Sequence, residues 1–108
     1  MVDIEFDELK REFLAEAEEK AREIAGALDG ERSPEAMERL AYLAHQLKGS
    51  GGSYGYQRIS SEAAAIETAA EEMLKGSDDG LASSLEEHIG MLRAEIETRS
   101  KELGSATP

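Results

Sequence analysis

His45 opens the run His45-Gln46-Leu47-Lys48-Gly49-Ser50-Gly51-Gly52. Neutral imidazole, with a pKa of about 6.5, is a competent nucleophile at pH 7 without an added base. If this run is helical, Lys48, Gly49 and Gly52 fall at the i+3, i+4 and i+7 positions and stand beside the ring. The cation would steady an anion there. The glycines would remove side chains that otherwise crowd the imidazole. The spacing describes a nucleophile cleared for approach by something bulky and negative.

Two features make the run unusual. The first is the cost of the glycines: each interior glycine costs a helix about 1 kcal/mol relative to alanine, so Gly49, Gly51 and Gly52 together cost roughly 3 kcal/mol. Propensity alone ends the helix at Lys48 and leaves a flexible loop to Gly55. The alternative carries the helix to about Gly52, with His45 on the flank of the apolar face roughly 100° from its centre. The second feature is charge. No Asp or Glu occurs from Arg39 to Ser61, where the chain's average predicts about five. Arg39, Lys48 and Arg58 lie in the same stretch. An otherwise acidic chain keeps a neutral-to-basic window around His45, as a surface receiving a phosphoryl group or meeting an acidic pocket would need.

The elements that must position this run read as four helices. Asp3 can cap a first helix to about Leu28, with Phe6, Leu9, Phe13, Ala17, Ile24 and Leu28 on one stripe. A break near Phe6–Leu9 would make its first turns a short extra helix. Asp29-Gly30 ends it, and Ser33-Pro34-Glu35 starts the second: a serine N-cap, a proline in the first turn and a carboxylate at the positive dipole end. Met37, Leu40, Ala44 and Leu47 form its apolar face. A third helix begins near Arg58 or Ile59, buries Ile59, Ala63, Ile66, Ala70 and Met73, and stops at Gly76. Ser77-Asp78-Asp79 can cap a fourth, with Leu81, Leu85, Ile89, Leu92 and Ile96 inward. The joints are short, which favours antiparallel neighbours. The reading is an all-α, up-down-up-down four-helix bundle over residues 1–103, with 104–108 as a loose tail.

Composition sets the outer bounds. The 108 residues suit one domain with a single modest core. Cysteine is absent, so disulfides, thiolate metal sites and thiol redox chemistry are excluded. The net charge of −12, from 24 acids against 12 bases, argues against nucleic acid and anionic membranes as partners. The N-terminal residues lack the basic and apolar regions of a secretory signal. The longest apolar run, Leu40 to Ala44, is too short to cross a bilayer. A soluble, cytoplasmic protein is expected, and its polar outer faces favour a monomer.

The run His45-Gln46-Leu47-Lys48-Gly49-Ser50, followed by Tyr54-Gly55-Tyr56 and Ile59, resembles the signature of the histidine phosphotransfer (HPt) domain. It is also similar to the phosphotransfer domain of chemotaxis histidine kinases. Phe13-Leu14 in the first helix and Ala64, Ile66 and Glu67 in the third fit the same likeness. The resemblance implies a phosphorelay protein whose exposed His45 accepts a phosphoryl group from a receiver-domain aspartyl phosphate and passes it to another receiver. In the chemotaxis type, the donor is an ATP-binding kinase core. It further implies Lys48 as the neighbouring cation, Gly49 as the residue permitting close approach and Ser50 as an orienting hydroxyl. Gln46, Gly52, Gln57 and Arg58 become candidates for contact with a response regulator or hybrid kinase. One departure is the extra glycine at Gly51-Gly52. No G-x-x-x-x-G-K-[ST] loop is present, so the expected role is a phosphoryl carrier, not an enzyme. It would have no intrinsic cofactor, with Mg²⁺ supplied by the receiver.

The remaining residues read more plainly. His88 sits on the stripe of Leu85, Ile89 and Leu92, without a cation or glycines near it in sequence, and reads as a packing or boundary residue. Tyr42, Tyr54 and Tyr56 are expected to pack the second and third helices together. A di-iron bundle would want Glu three residues before each histidine, where Tyr42 and Leu85 stand instead. The reading from a different class is a helical adaptor in which His45 does no chemistry and Tyr54–Arg58 docks a partner.

Overall fold

The computed structural model describes residues 4–76 and 80–105. They form α1 (Ile4–Asp29), α2 (Pro34–Ser53), α3 (Gln57–Leu74) and α4 (Leu81–Ser105). Each helix packs on the helix next to it in sequence, and α1 closes the ring against α4. Cross-helix contacts give the directions. Arg39 of α2 reaches Glu23 in the second half of α1, while Tyr54 just past α2 stacks on Phe13 in the first half. Gly51 near the end of α2 meets Ile59 near the start of α3. His88 meets Glu62 and Arg11 meets Leu103. Every neighbouring pair is antiparallel, which is the expected up-down-up-down bundle.

Local chemistry sets the joints. Ser33 caps α2, its Oγ accepting from the Ala36 amide at 3.1 Å, and Pro34 follows. The chain reverses between α1 and α2 through Arg32 at φ 54°, a conformation that costs a residue with a Cβ about 1 kcal/mol or more. The Arg32 Nε donates to the Leu28 carbonyl at 2.6 Å, so the side chain caps the helix whose turn it strains. Between α2 and α3, Gly55 at φ 83° makes the turn. The amides of Tyr54, Gly55 and Tyr56 satisfy the last α2 carbonyls at Ser50, Gly52 and Gly51. Gly76 ends the turn after α3 at φ 97°.

The core is one apolar cluster in which Leu14, Ile24, Leu28, Leu40, Leu47, Ile59, Ile66, Leu85, Leu92 and Ile96 are the largest fully buried side chains. Several expectations change. Among the described residues no separate N-terminal helix forms: α1 runs unbroken from Ile4, since nothing between Phe6 and Leu9 is a glycine or proline. Phe6 and Leu9 are exposed, not core; that end of α1 is covered by an aromatic stack. Tyr54 lies against Phe13 with ring centroids 4.9 Å apart, Phe6 against Tyr54 at 6.1 Å, and Tyr56 against Phe13 at 6.0 Å. Tyr54 and Tyr56 therefore pack on α1, and Tyr42 is exposed on α2 beneath Arg39. At the other terminus α4 passes the boundary expected at residue 103 and reaches Ser105, one glycine near a helix end being a small penalty. The caps expected at Asp3 and at Ser77-Asp78-Asp79, and the tail from residue 106, lie outside the described residues.

Candidate functional site

The helix carrying His45 does continue, to Ser53, through all three glycines. Their environments differ. A Cβ on Gly51 would stand 3.2 Å from both Ile59 Cγ2 and the Ser60 backbone nitrogen, and 3.4 Å from the Tyr56 carbonyl. Gly51 is buried because α3 leans on its backbone. A Cβ on Gly49 would meet nothing within 4 Å, and one on Gly52 only the Ser60 hydroxyl at 3.7 Å. Those two leave open the surface next to the ring. Ser60 also donates from Oγ to the Lys48 carbonyl at 2.8 Å, which pins the glycine-rich turn to α3 and gives its backbone an extra partner.

On this turn His45 projects outward, its side chain 63% exposed. Its Nδ1 lies 2.9 Å from Glu67 Oε2, and the Lys48 ammonium donates to Glu67 Oε1 at 2.8 Å. One carboxylate from α3 thus joins two side chains of α2. Glu67 is itself largely buried. Burial alone would push its carboxyl up, but the hydrogen bonds from Lys48 and His45 outweigh that and hold it below its ordinary value. An ionised carboxylate can only accept, so the proton of neutral His45 sits on Nδ1. The lone pair is left on Nε2, on a ring whose side chain is mostly exposed. This is the arrangement a nucleophilic imidazole needs: one nitrogen anchored, the other free.

The other sequence candidates are placed as follows. Gln46 is half-buried and bonds the Tyr42 hydroxyl at 2.9 Å, on the α1 side of α2. Ser50 is half-buried, roughly 140° around the helix from His45. Gln57 and Arg58 are exposed at the start of α3. Arg58 turns away from His45: it pairs with Glu62 one turn on in α3 and reaches the Met91 sulfur of α4. The structure therefore gathers His45, Lys48, Gly49, Gly52 and Glu67, and leaves Arg58 outside the group. Glu67, Ser60 and Gly51 were not singled out for the site from sequence. Glu67 follows the core residue Ile66, so its place on the flank of the α3 stripe was readable, but not the α2–α3 register that delivers it to His45.

The charge window also changes meaning. Arg39 pairs with Glu23, Lys48 with Glu67 and Arg58 with Glu62, so all three cations meet acids from outside the acid-free stretch. The surface around His45 is close to neutral, not basic. Grooves of about 490 Å³ between α1 and α2 and about 410 Å³ between α1 and α4 are lined by none of His45, Lys48 and Glu67. Among the described residues, no group of three or more His, Asp or Glu converges as a metal ion would require, and no helix is long and apolar enough to cross a membrane.

Comparison with known families gives one result. The Hpt domain model matches residues 8–102, which takes in all of α2 and α3, most of α1 and α4, and every residue of the His45 cluster. No match is found among curated proteins or among solved structures. An antiparallel four-helix bundle with a ring nitrogen free on its surface, matched over nearly its whole length, has an assignment: the chain belongs to the Hpt domain family, the phosphotransfer modules of phosphorelay signalling.

Proposed function

We propose that His45 Nε2 is the phosphoryl acceptor, charged by the aspartyl phosphate of one receiver domain and discharged to the aspartate of another. The observation that carries this reading is the Glu67 bond to Nδ1, which leaves Nε2 as the exposed nucleophile of a ring standing clear of the bundle. In the forward step the Nε2 lone pair attacks phosphorus, the acyl P–O bond breaks and the donor carboxylate leaves with its electron pair. The proton stays on Nδ1, and Glu67 balances the positive charge that develops on the ring. Lys48, already shared with Glu67, turns part of its ammonium toward the phosphoryl oxygens. Discharge is the reverse, with neutral imidazole as the leaving group.

On this reading the chain is a stoichiometric carrier, a cytoplasmic monomer that meets receivers and hybrid kinases one at a time. A divalent cation bound by the receiver would neutralise phosphoryl charge during transfer; this chain's part is to orient the ring and supply Lys48. Gly49 and Gly52 let the receiver's surface close over the imidazole. The test uses a panel of receiver domains charged with acetyl phosphate in the presence of Mg²⁺. Acid-labile, alkali-stable phosphate should appear on the wild-type chain at residue 45 and be lost in His45→Gln, with helical content unchanged. Equal labelling of wild type and His45→Gln would overturn the assignment.

A further inference from the structure

α3 presents a second carboxylate to its other neighbour. Glu62, 8% exposed, sends Oε1 to His88 Nδ1 at 2.7 Å and Oε2 to Arg58 Nε at 3.5 Å. The order of atoms repeats that of His45, Glu67 and Lys48: ring nitrogen, one carboxylate oxygen, the other oxygen, cation. The boundary role read for His88 from its own helix omits this, because both partners come from α3.

The chemistry follows from the bonding. A buried carboxylate accepting from the ring fixes the neutral proton on Nδ1 and leaves the lone pair on Nε2. The His88 side chain is 31% exposed, so the ring reaches solvent. Arg58 is 60% exposed and has five N–H donors, of which Nε faces Glu62 and Nη2 the sulfur of Met91. Met91 lies at i+3 from His88, so the guanidinium runs along the same turn with donors left for an anion's oxygens. Glu86 and Glu87 precede His88 in sequence but project roughly 160° and 100° away around the helix.

Access differs between the two histidines. His45 has Lys48 and Gly49 at i+3 and i+4; His88 has Met91 and Leu92, and half the exposure. Leu92 points into the core, so the difference is one of exposure: the less exposed His88 suits a small donor better than a protein surface. We propose that His88 is a second phosphoryl-accepting histidine, reacting at Nε2 with small activated phosphoryl donors of the phosphoramidate or acyl phosphate class. The Nε2 lone pair attacks phosphorus. The donor's P–N bond breaks with loss of ammonia, or its P–O bond breaks with loss of the carboxylate. The ring keeps its Nδ1 proton, Glu62 balances the imidazolium charge, and Arg58 holds the phosphoryl oxygens.

The experiment uses the full chain carrying His45→Gln, so its outcome does not depend on the role of His45. The protein is incubated separately with potassium phosphoramidate and with acetyl phosphate, beside N-acetylhistidine as the reference imidazole. The expected result is one alkali-stable phosphate on residue 88, attached at Nε2 by nitrogen NMR, formed at least as fast as on N-acetylhistidine and lost in His45→Gln/His88→Gln. Adding Glu62→Gln should slow uptake roughly tenfold, because the ring then loses its fixed tautomer. Uptake from either donor supports the proposal, and the one that reacts identifies the donor class. No phosphate on residue 88, attachment at Nδ1, or a rate below that of N-acetylhistidine overturns it. If Glu62→Gln does not fold, the comparison with N-acetylhistidine decides alone; if it folds and the rate is unchanged, Glu62 has no part and the proposal fails.

Discussion

At His45 the decisive partner is Glu67, and its two bonds make separable predictions. Lys48 is 40% exposed, so Lys48→Ala should slow phosphoryl transfer only roughly two- to fivefold, the range of a solvent-screened ion pair. An unchanged single-turnover rate would remove Lys48 from the mechanism. Glu67→Gln should cost more, roughly tenfold, since a neutral amide neither fixes the ring tautomer nor balances its charge. The same residue makes a stability prediction. Its carboxyl is held below its ordinary value in the folded chain, so in acid the unfolded state binds the proton more readily. The stabilisation is complete above the unfolded pKa of about 4.3 and is lost as pH falls through the lower folded value. Urea melts of wild type minus Glu67→Gln should therefore show a stability gap that is level above pH 5 and closes below pH 4. A gap independent of pH would mean that Glu67 acts by packing, not charge.

Helix α2 shows what a sequence read one segment at a time can and cannot deliver. The heptad-like stripes, Ser33-Pro34 and Gly76 made the bundle legible, and the spacing of His45, Lys48, Gly49 and Gly52 made the site legible. Whether the helix survived three glycines was not decidable, because what holds it, the close approach of α3 to Gly51 and the Ser60 bond to the Lys48 carbonyl, belongs to another helix. The same blindness made the stretch holding Arg39, Lys48 and Arg58 look like a neutral-to-basic window, when each cation is paired with a carboxylate from outside it. The glycines now make opposite predictions. Gly51→Ala should destabilise the chain by about 1–3 kcal/mol, since the Ser60 backbone cannot step aside for a Cβ. Gly49→Gln has open space and should stabilise α2 by about 0.5–1 kcal/mol while slowing receiver-dependent transfer roughly tenfold or more, as the added side chain holds the partner off the ring. Thermal melts and transfer rates on the same two proteins check both. Equal destabilisation by the two changes would mean that the glycines share one role.

Over the whole molecule the balance of charge is lopsided. The net charge of −12 is spread over a body of 51 × 19 × 18 Å, and Glu8, Glu12, Glu16, Glu35, Glu38, Glu86 and Glu87 all stand exposed. Several of the ion pairs that oppose this repulsion are exposed pairs within one helix, such as Arg22 with Glu18 and Glu19 or Lys101 with Glu97, each worth roughly 0–1 kcal/mol. Repulsion among like charges acts across the full width of so thin a bundle at low salt, where the Debye length is about 30 Å at 0.01 M, and is cut to about 8 Å at 0.15 M. Salt weakens both terms, but it removes more repulsion than attraction. Stability should therefore rise with salt: between 10 mM and 500 mM NaCl the melting temperature should increase by on the order of 5 °C, which for a chain of this size corresponds to about 1 kcal/mol. A fall in melting temperature over that range would mean that the ion pairs, not the apolar core working against surplus acid, carry the fold. The cross-helix pairs of Glu67 and Glu62 would then be the first to examine, because they alone tie α3 electrostatically to both of its neighbours among the described residues.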